Sequence, residues 1–232
     1  MENSVLTIKA VLFDMGGTLI TAATLEEVIK IYDKILQAYG MSYSLDRIAK
    51  AHQKASRQLD ISRLADVGKD FWVMFNLILL KDLGMDKNQA LDLAKTIDRE
   101  WWDYADVELY PDVLPVLHEL KARKLKLGIV SNGLESDIEH VMKKVNLEGF
   151  FDVEVGVDTF MCMKPNREVF LKTLKLLQVS PKETLFVGDS LENDYEGARN
   201  AGIRALLISR RNNVTNCEVE KIHSFWELLS FL

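Results

Sequence analysis

Apolar residues fall along the chain in short runs, separated by longer stretches in which they recur at helical spacing. Ala10–Phe13, Leu125–Val130, Val153–Val157, Leu185–Val187 and Ala205–Ile208 are each short enough for a strand buried on both faces, and each is bounded by polar or turn residues. Most of the intervening stretches read as helices. The alternation predicts an α/β fold, a doubly wound, mainly parallel Rossmann-like sheet with helices on both faces and ligands gathered beyond the carboxyl ends of its strands.

One interval breaks the alternation. From Ile20 to about Asp106 no strand pattern occurs, and four amphipathic helical patterns fill the space, near Leu25–Tyr39, Leu45–Leu59, Lys69–Leu83 and Asn88–Tyr104. Thr24 and Glu27 have capping-box spacing ahead of the first. The interval is too long for one crossover, so an inserted α-helical cap subdomain is expected over residues 21–106, with 1–20 and 107–232 forming the sheet domain. Glu108–Asp112 returns the chain to the sheet, Pro111 suiting the first turn of a helix that carries Leu114, Leu117 and Leu120.

Composition narrows the function classes. With 232 residues, 48% of them hydrophobic, the chain can bury a full core. A net charge of −6 argues against a polyanion-binding surface, so nucleic acid is not an expected partner. Cys162 and Cys217 have neither disulfide-framework nor zinc-ligand spacing. No leader pattern opens the sequence, and no stretch reaches the ~18 apolar residues of a membrane span. A cytoplasmic protein without membrane attachment is therefore expected; its oligomeric state is left open.

Four short segments fall at or just past predicted strand ends: Asp14–Thr18, Ser131-Asn132-Gly133, Lys164-Pro165, and Gly188-Asp189-Ser190 with Asp194. In a doubly wound sheet such segments converge on one crevice. Carboxylates at Asp14 and Asp189 suit a hard divalent cation such as Mg²⁺. Backbone N–H groups around Gly16 and Gly17, with Ser131 and Lys164, suit the oxygens of a phosphoryl group.

These segments, in this order, resemble the four motifs of the haloacid dehalogenase superfamily, and the likeness spans almost the whole chain. Phe13-Asp14-Met15-Gly16-Gly17-Thr18-Leu19 is similar to the first motif, Val130-Ser131-Asn132-Gly133 to the second, Lys164-Pro165 to the third and Gly188–Asp194 to the fourth. The resemblance implies a Mg²⁺-dependent phosphohydrolase acting on a small phosphorylated metabolite. Asp14 is then the nucleophile that forms an aspartyl-phosphate, and Lys164 orients it. Asp14, the Gly16 carbonyl and Asp189 form the metal set, with Asp194 joining it or supporting the metal or lysine from behind. Gly16, Gly17, Thr18, Ser131, Asn132 and Lys164 are the expected substrate-binding residues, and the cap sets specificity.

Gly16 departs from the family pattern. Most phosphatases of the family carry there a second Asp, which protonates the leaving oxygen and then activates water; glycine can do neither. Cap carboxylates Asp60, Asp66 and Asp70 are candidate replacements. Two other readings stay open: a 2-haloacid dehalogenase in which Asp14 attacks carbon, and a ligand-binding or regulatory protein that turns over poorly.

Overall fold

The computed structural model describes residues 7–210 and 219–232; Cys217 and residues 1–6 lie outside that range. All six strands found there run parallel, in the order β3-β2-β1-β4-β5-β6. They are β1 Ala10–Phe13, β2 Lys126–Val130, β3 Val153–Val155, β4 Thr184–Gly188, β5 Arg204–Ile208 and β6 Lys221–Ile222. The first five are the five apolar runs, with ends moved by no more than two residues. β6 has only two residues, too few to register as a run.

β1 lies between β2 and β4, with Ala10 opposite both Lys126 and Thr184. The chain winds from β1 one way to β2 and β3, then crosses back to β4 on the other side of β1, which makes the carboxyl end of β1 the switch point of the sheet. Successive residues of β1 serve opposite faces. Leu12 packs with Val130, Phe170, Phe186 and Tyr195 on one. Phe13 stacks on Phe225 and meets Phe151 edge-on across the other.

Contacts divide the chain into two compact units, cut between Ala22 and Ala23 and between Asp106 and Val107. The chain leaves and re-enters the sheet unit side by side, since Thr21 N–H donates to Glu108 O (3.0 Å) and Tyr110 N–H to Leu19 O (3.1 Å). The other unit is helical, with main helices Leu25–Ala38, Leu45–Gln58, Phe71–Asp82 and Lys87–Tyr104. Thr24 and Glu27 close the expected capping box. The third helix starts two residues later than its periodicity suggests because Gly68, at φ +68°, opens a short 3₁₀ turn before it. Buried Asn76 on that helix accepts from the Tyr32 hydroxyl (2.7 Å) and donates to Ala94 O (3.4 Å), tying three helices together with satisfied polar groups. No helix among the described residues is long and apolar enough to cross a membrane.

Candidate active site

Asp14 directly follows β1, and its N–H donates to Val187 O (2.9 Å), so the ladder to β4 fixes its backbone. The side chain is almost fully buried. Lys164, 2% exposed, donates from Nζ to Asp14 Oδ1 and to Asp194 Oδ1, each at 2.7 Å. A buried ammonium is tolerable only when paired and hydrogen-bonded, and here two carboxylates do both.

Each partner is held from behind. Asn132 grips the Lys164 backbone at two points, accepting from its N–H (2.8 Å) and donating to its carbonyl (3.0 Å). Asp194 Oδ2 accepts from Ser190 N–H (2.9 Å). The Leu191–Glu196 segment is a π-helical turn, and the N–H groups of both Asp194 and Tyr195 point back to Ser190 O (3.1 Å each). Such widened turns re-aim one side chain, and this one turns Asp194 inward over Gly188, where any Cβ would overlap the Asp194 carboxyl.

Asp189 completes the cluster. Ligand oxygens of Asp14, Asp189 and Asp194 lie within 4.8 Å of one another. The Asp189 carboxylate rests against Gly17, which has φ +79° and whose Cβ, if present, would overlap it. This glycine is therefore required twice, for its left-handed backbone and for the space it leaves. At Gly16 the situation is opposite: φ is unexceptional, and an added Cβ meets nothing within 4 Å.

The charges are unbalanced, with three carboxylates around one ammonium. Burial, aided by the Asp194 and Asp189 charges, outweighs Lys164 and pushes the Asp14 carboxyl up to about 7. Burial also raises Asp189, with Asp194 adding to it. Burial opposes the charge on Lys164, yet Asp14 and Asp194 together hold its ammonium above the ordinary lysine range. A cluster that raises its own carboxylates in this way has unmet demand for positive charge. Hard oxygen donors and a cradle that any Cβ at position 17 would fill match Mg²⁺.

The substrate-binding candidates have partners within the protein itself. The Gly17 N–H is taken by Ile20 O at 2.7 Å and is unavailable to a phosphoryl oxygen. Thr18 is fully buried, and its hydroxyl finds no hydrogen-bond partner among the described residues. Asn132 spends an amide oxygen and a nitrogen on the Lys164 backbone. Ser131 does lie at the β2 end, but its Oγ accepts from Gly133 N–H (3.0 Å). Asp60, one of the helical unit's candidate acids, is held below the usual carboxylate range by hydrogen bonds from Ser62, which makes it a poor proton donor at neutral pH.

Sequence reasoning also missed two charged residues. Arg210, just past β5, and Asp112, on the return segment, form a buried ion pair beside Thr18. No motif marks either.

Residues 8–202 match the family model of haloacid dehalogenase-like hydrolases. The chain belongs to that family. Among haloacid dehalogenase-like relatives, it is 30% identical to a glyceraldehyde 3-phosphate phosphatase of Methanopyrus kandleri, over 88% of this chain and 84% of the relative. It is also 30% identical to a phosphoglycolate phosphatase of Aquifex aeolicus, over 86% of this chain and 84% of the relative. The solved 2-haloacid dehalogenase of Pseudomonas syringae pv. Tomato superposes with a TM-score of 0.76, covering 97% of each chain at 21% identity, a likeness of fold alone. The protein is a hydrolase of phosphatase type.

Proposed function

We propose that the protein is a Mg²⁺-dependent phosphohydrolase of a small phosphorylated metabolite, working through an aspartyl-phosphate on Asp14. The observation that carries this reading is the Lys164 ammonium buried between Asp14 and Asp194 at 2.7 Å from each, beside the Asp189 carboxylate. In this reading the sheet unit holds the chemistry, and the helical unit is a cap that selects substrate.

Asp14, Asp189 and the Gly16 carbonyl would hold Mg²⁺, with Asp194 supporting the site through Lys164. When bound, the ion neutralises phosphoryl charge and favours the ionised form of Asp14. Lys164 takes Asp14 Oδ1, which leaves Oδ2 to attack phosphorus. The leaving oxygen departs with its electron pair, and an aspartyl-phosphate remains. Water then attacks the same phosphorus, the bond to Asp14 breaks with its electrons returning to the carboxylate, and the water proton passes to the released phosphate or to solvent. Lys164 and Ser131 hold the phosphoryl oxygens while Asn132, through the Lys164 backbone, fixes where that ammonium sits.

Gly16 supplies no proton in the first half-reaction and no base in the second. General acid–base catalysis typically gives ~10²–10⁴-fold, so its loss costs about 3–5 kcal/mol of barrier against accelerations that reach ~10²¹-fold for phosphate monoesters. The deficit slows the reaction without abolishing it, and substrates with good leaving groups suffer least in the first step.

Phosphate release from a broad phosphoester panel with Mg²⁺ tests the reading. Asp14→Asn should abolish release. A rate that survives this substitution would overturn the proposal.

A further inference from the structure

The Gly16–Thr18 loop is held on two sides. On one, Gly17 packs against the Asp189 carboxylate. On the other, the Arg210 guanidinium donates from Nη2 to Thr18 O (2.9 Å) and from Nη1 to both oxygens of Asp112 (2.8 and 2.7 Å). Its plane is further confined by Tyr110, 4.1 Å from the guanidinium carbon to the ring centroid, and by Phe225 at 4.9 Å. Asp112 Oδ2 also accepts from Phe225 N–H (2.7 Å), and Tyr110 N–H bonds Leu19 O. Arg210 and Asp112 are both about nine-tenths buried. One guanidinium thus ties together the loop after β1, the returning segment, the end of β5 and the short helix Phe225–Leu228.

A structural ion pair needs only its two partners. This one also donates to the Thr18 carbonyl, and so holds the loop whose Gly17 packs against Asp189. Lysine could not replace it, since a single ammonium lacks the planar fork that reaches Asp112 and Thr18 O at once while lying against Tyr110.

We propose that Arg210, braced by Asp112, is a positioning residue that fixes the Gly16–Thr18 loop against Asp189 and thereby sets the affinity of the carboxylate cluster for Mg²⁺. The proposal rests on the metal site in the function proposed above, but its readout needs no substrate.

Mg²⁺ titration by calorimetry, without substrate, compares the wild type with Arg210→Lys, Asp112→Asn and the double variant Arg210→Met/Asp112→Leu, with thermal melting recorded in parallel. Residues that orient metal ligands typically contribute ~10–100-fold in affinity, so each variant should bind Mg²⁺ at least about tenfold more weakly. The double variant strands no buried charge, so it should melt closer to wild type than Asp112→Asn does while keeping the weakened Mg²⁺ affinity. A purely structural pair would instead let affinity recover with melting temperature. Wild-type Mg²⁺ affinity in folded Arg210→Lys, or its recovery in the double variant, overturns the proposal. If Arg210→Lys does not fold, Asp112→Asn and the double variant decide by the same criterion. Failure of the phosphohydrolase reading appears separately, as activity that survives Asp14→Asn.

Discussion

Restoring an acid at position 16 is the most informative perturbation because the two adjacent glycines respond oppositely to a side chain. At Gly16 the backbone lies outside the left-handed region, and an added Cβ touches nothing within 4 Å. The new Cβ of Gly16→Asp should therefore cost little by itself, and the folding penalty is the repulsion between its carboxylate and the cluster. The variant's catalytic gain is bounded by what general acid–base catalysis provides, ~10²–10⁴-fold. Three carboxylates already crowd the site, and a fourth charge adds repulsion, so the lower end, ~10²-fold or about 3 kcal/mol, is expected. Gly17→Ala is the matched control. Its φ of +79° makes any L side chain strained by about 1–2 kcal/mol, and the new Cβ would displace Asp189. Steady-state rates on an aryl and an alkyl phosphate, with quench-flow for the aspartyl-phosphate, should show the larger gain on the alkyl ester, whose leaving oxygen needs the proton more. Folded, Mg²⁺-binding Gly16→Asp protein with an unchanged rate on the alkyl ester would refute the argument that position 16 is where the acid is missing.

Three further outcomes follow from the same geometry. Lys164→Met leaves the buried Asp14 and Asp194 carboxylates sharing no cation, and should lower stability by about 3–5 kcal/mol in urea unfolding as well as abolishing turnover. In chelator, stability should fall as pH rises from about 4 to 7: unfolded Asp14 ionises near 3.8, whereas folded Asp14 keeps its proton to about 7, so the folded state alone resists ionisation. The Asp14 share is about 4 kcal/mol, and Asp14→Asn should remove it and leave only the fall that the raised Asp189 carboxyl contributes, read as melting temperature against pH. In the helical unit, Tyr32→Phe strips a buried amide oxygen of Asn76 of its donor and should cost about 1–3 kcal/mol by chemical denaturation without changing Asp14 chemistry.

The fold was readable because strands buried on both faces leave continuous apolar runs, and because three helices of the insertion keep a 3.6-residue apolar stripe, while Phe71–Asp82 is apolar nearly all round. Asp14 and Asp189 were readable because each directly follows a strand end, where this topology collects side chains, whereas Lys164 lies beyond a helical turn after β3 and Asp194 within the turn after β4. What their neighbours do was not readable. Whether Gly17 N–H is free depends on Ile20 folding back on it, and Asn132 serves Lys164 only because the two segments, 32 residues apart, meet. Arg210 and Asp112 are 98 positions apart, with no local pattern to announce either one. Long-range pairs of this kind leave no periodic trace.

The side-by-side exit and return at Thr21 and Glu108 also bears on how the chain can fold. β1 must pair with β2 across an interval of about 110 residues, a loop-closure cost that grows as the logarithm of length. If the helical unit between Ala23 and Asp106 closes first and brings its ends together, the effective loop shrinks to about 30 residues, roughly two halvings, which recovers about 1.2 kcal/mol of chain entropy. An insertion of this size then acts as a clasp that shortens the search for the central strand pair, and the order of events, helical unit before sheet, becomes the faster route.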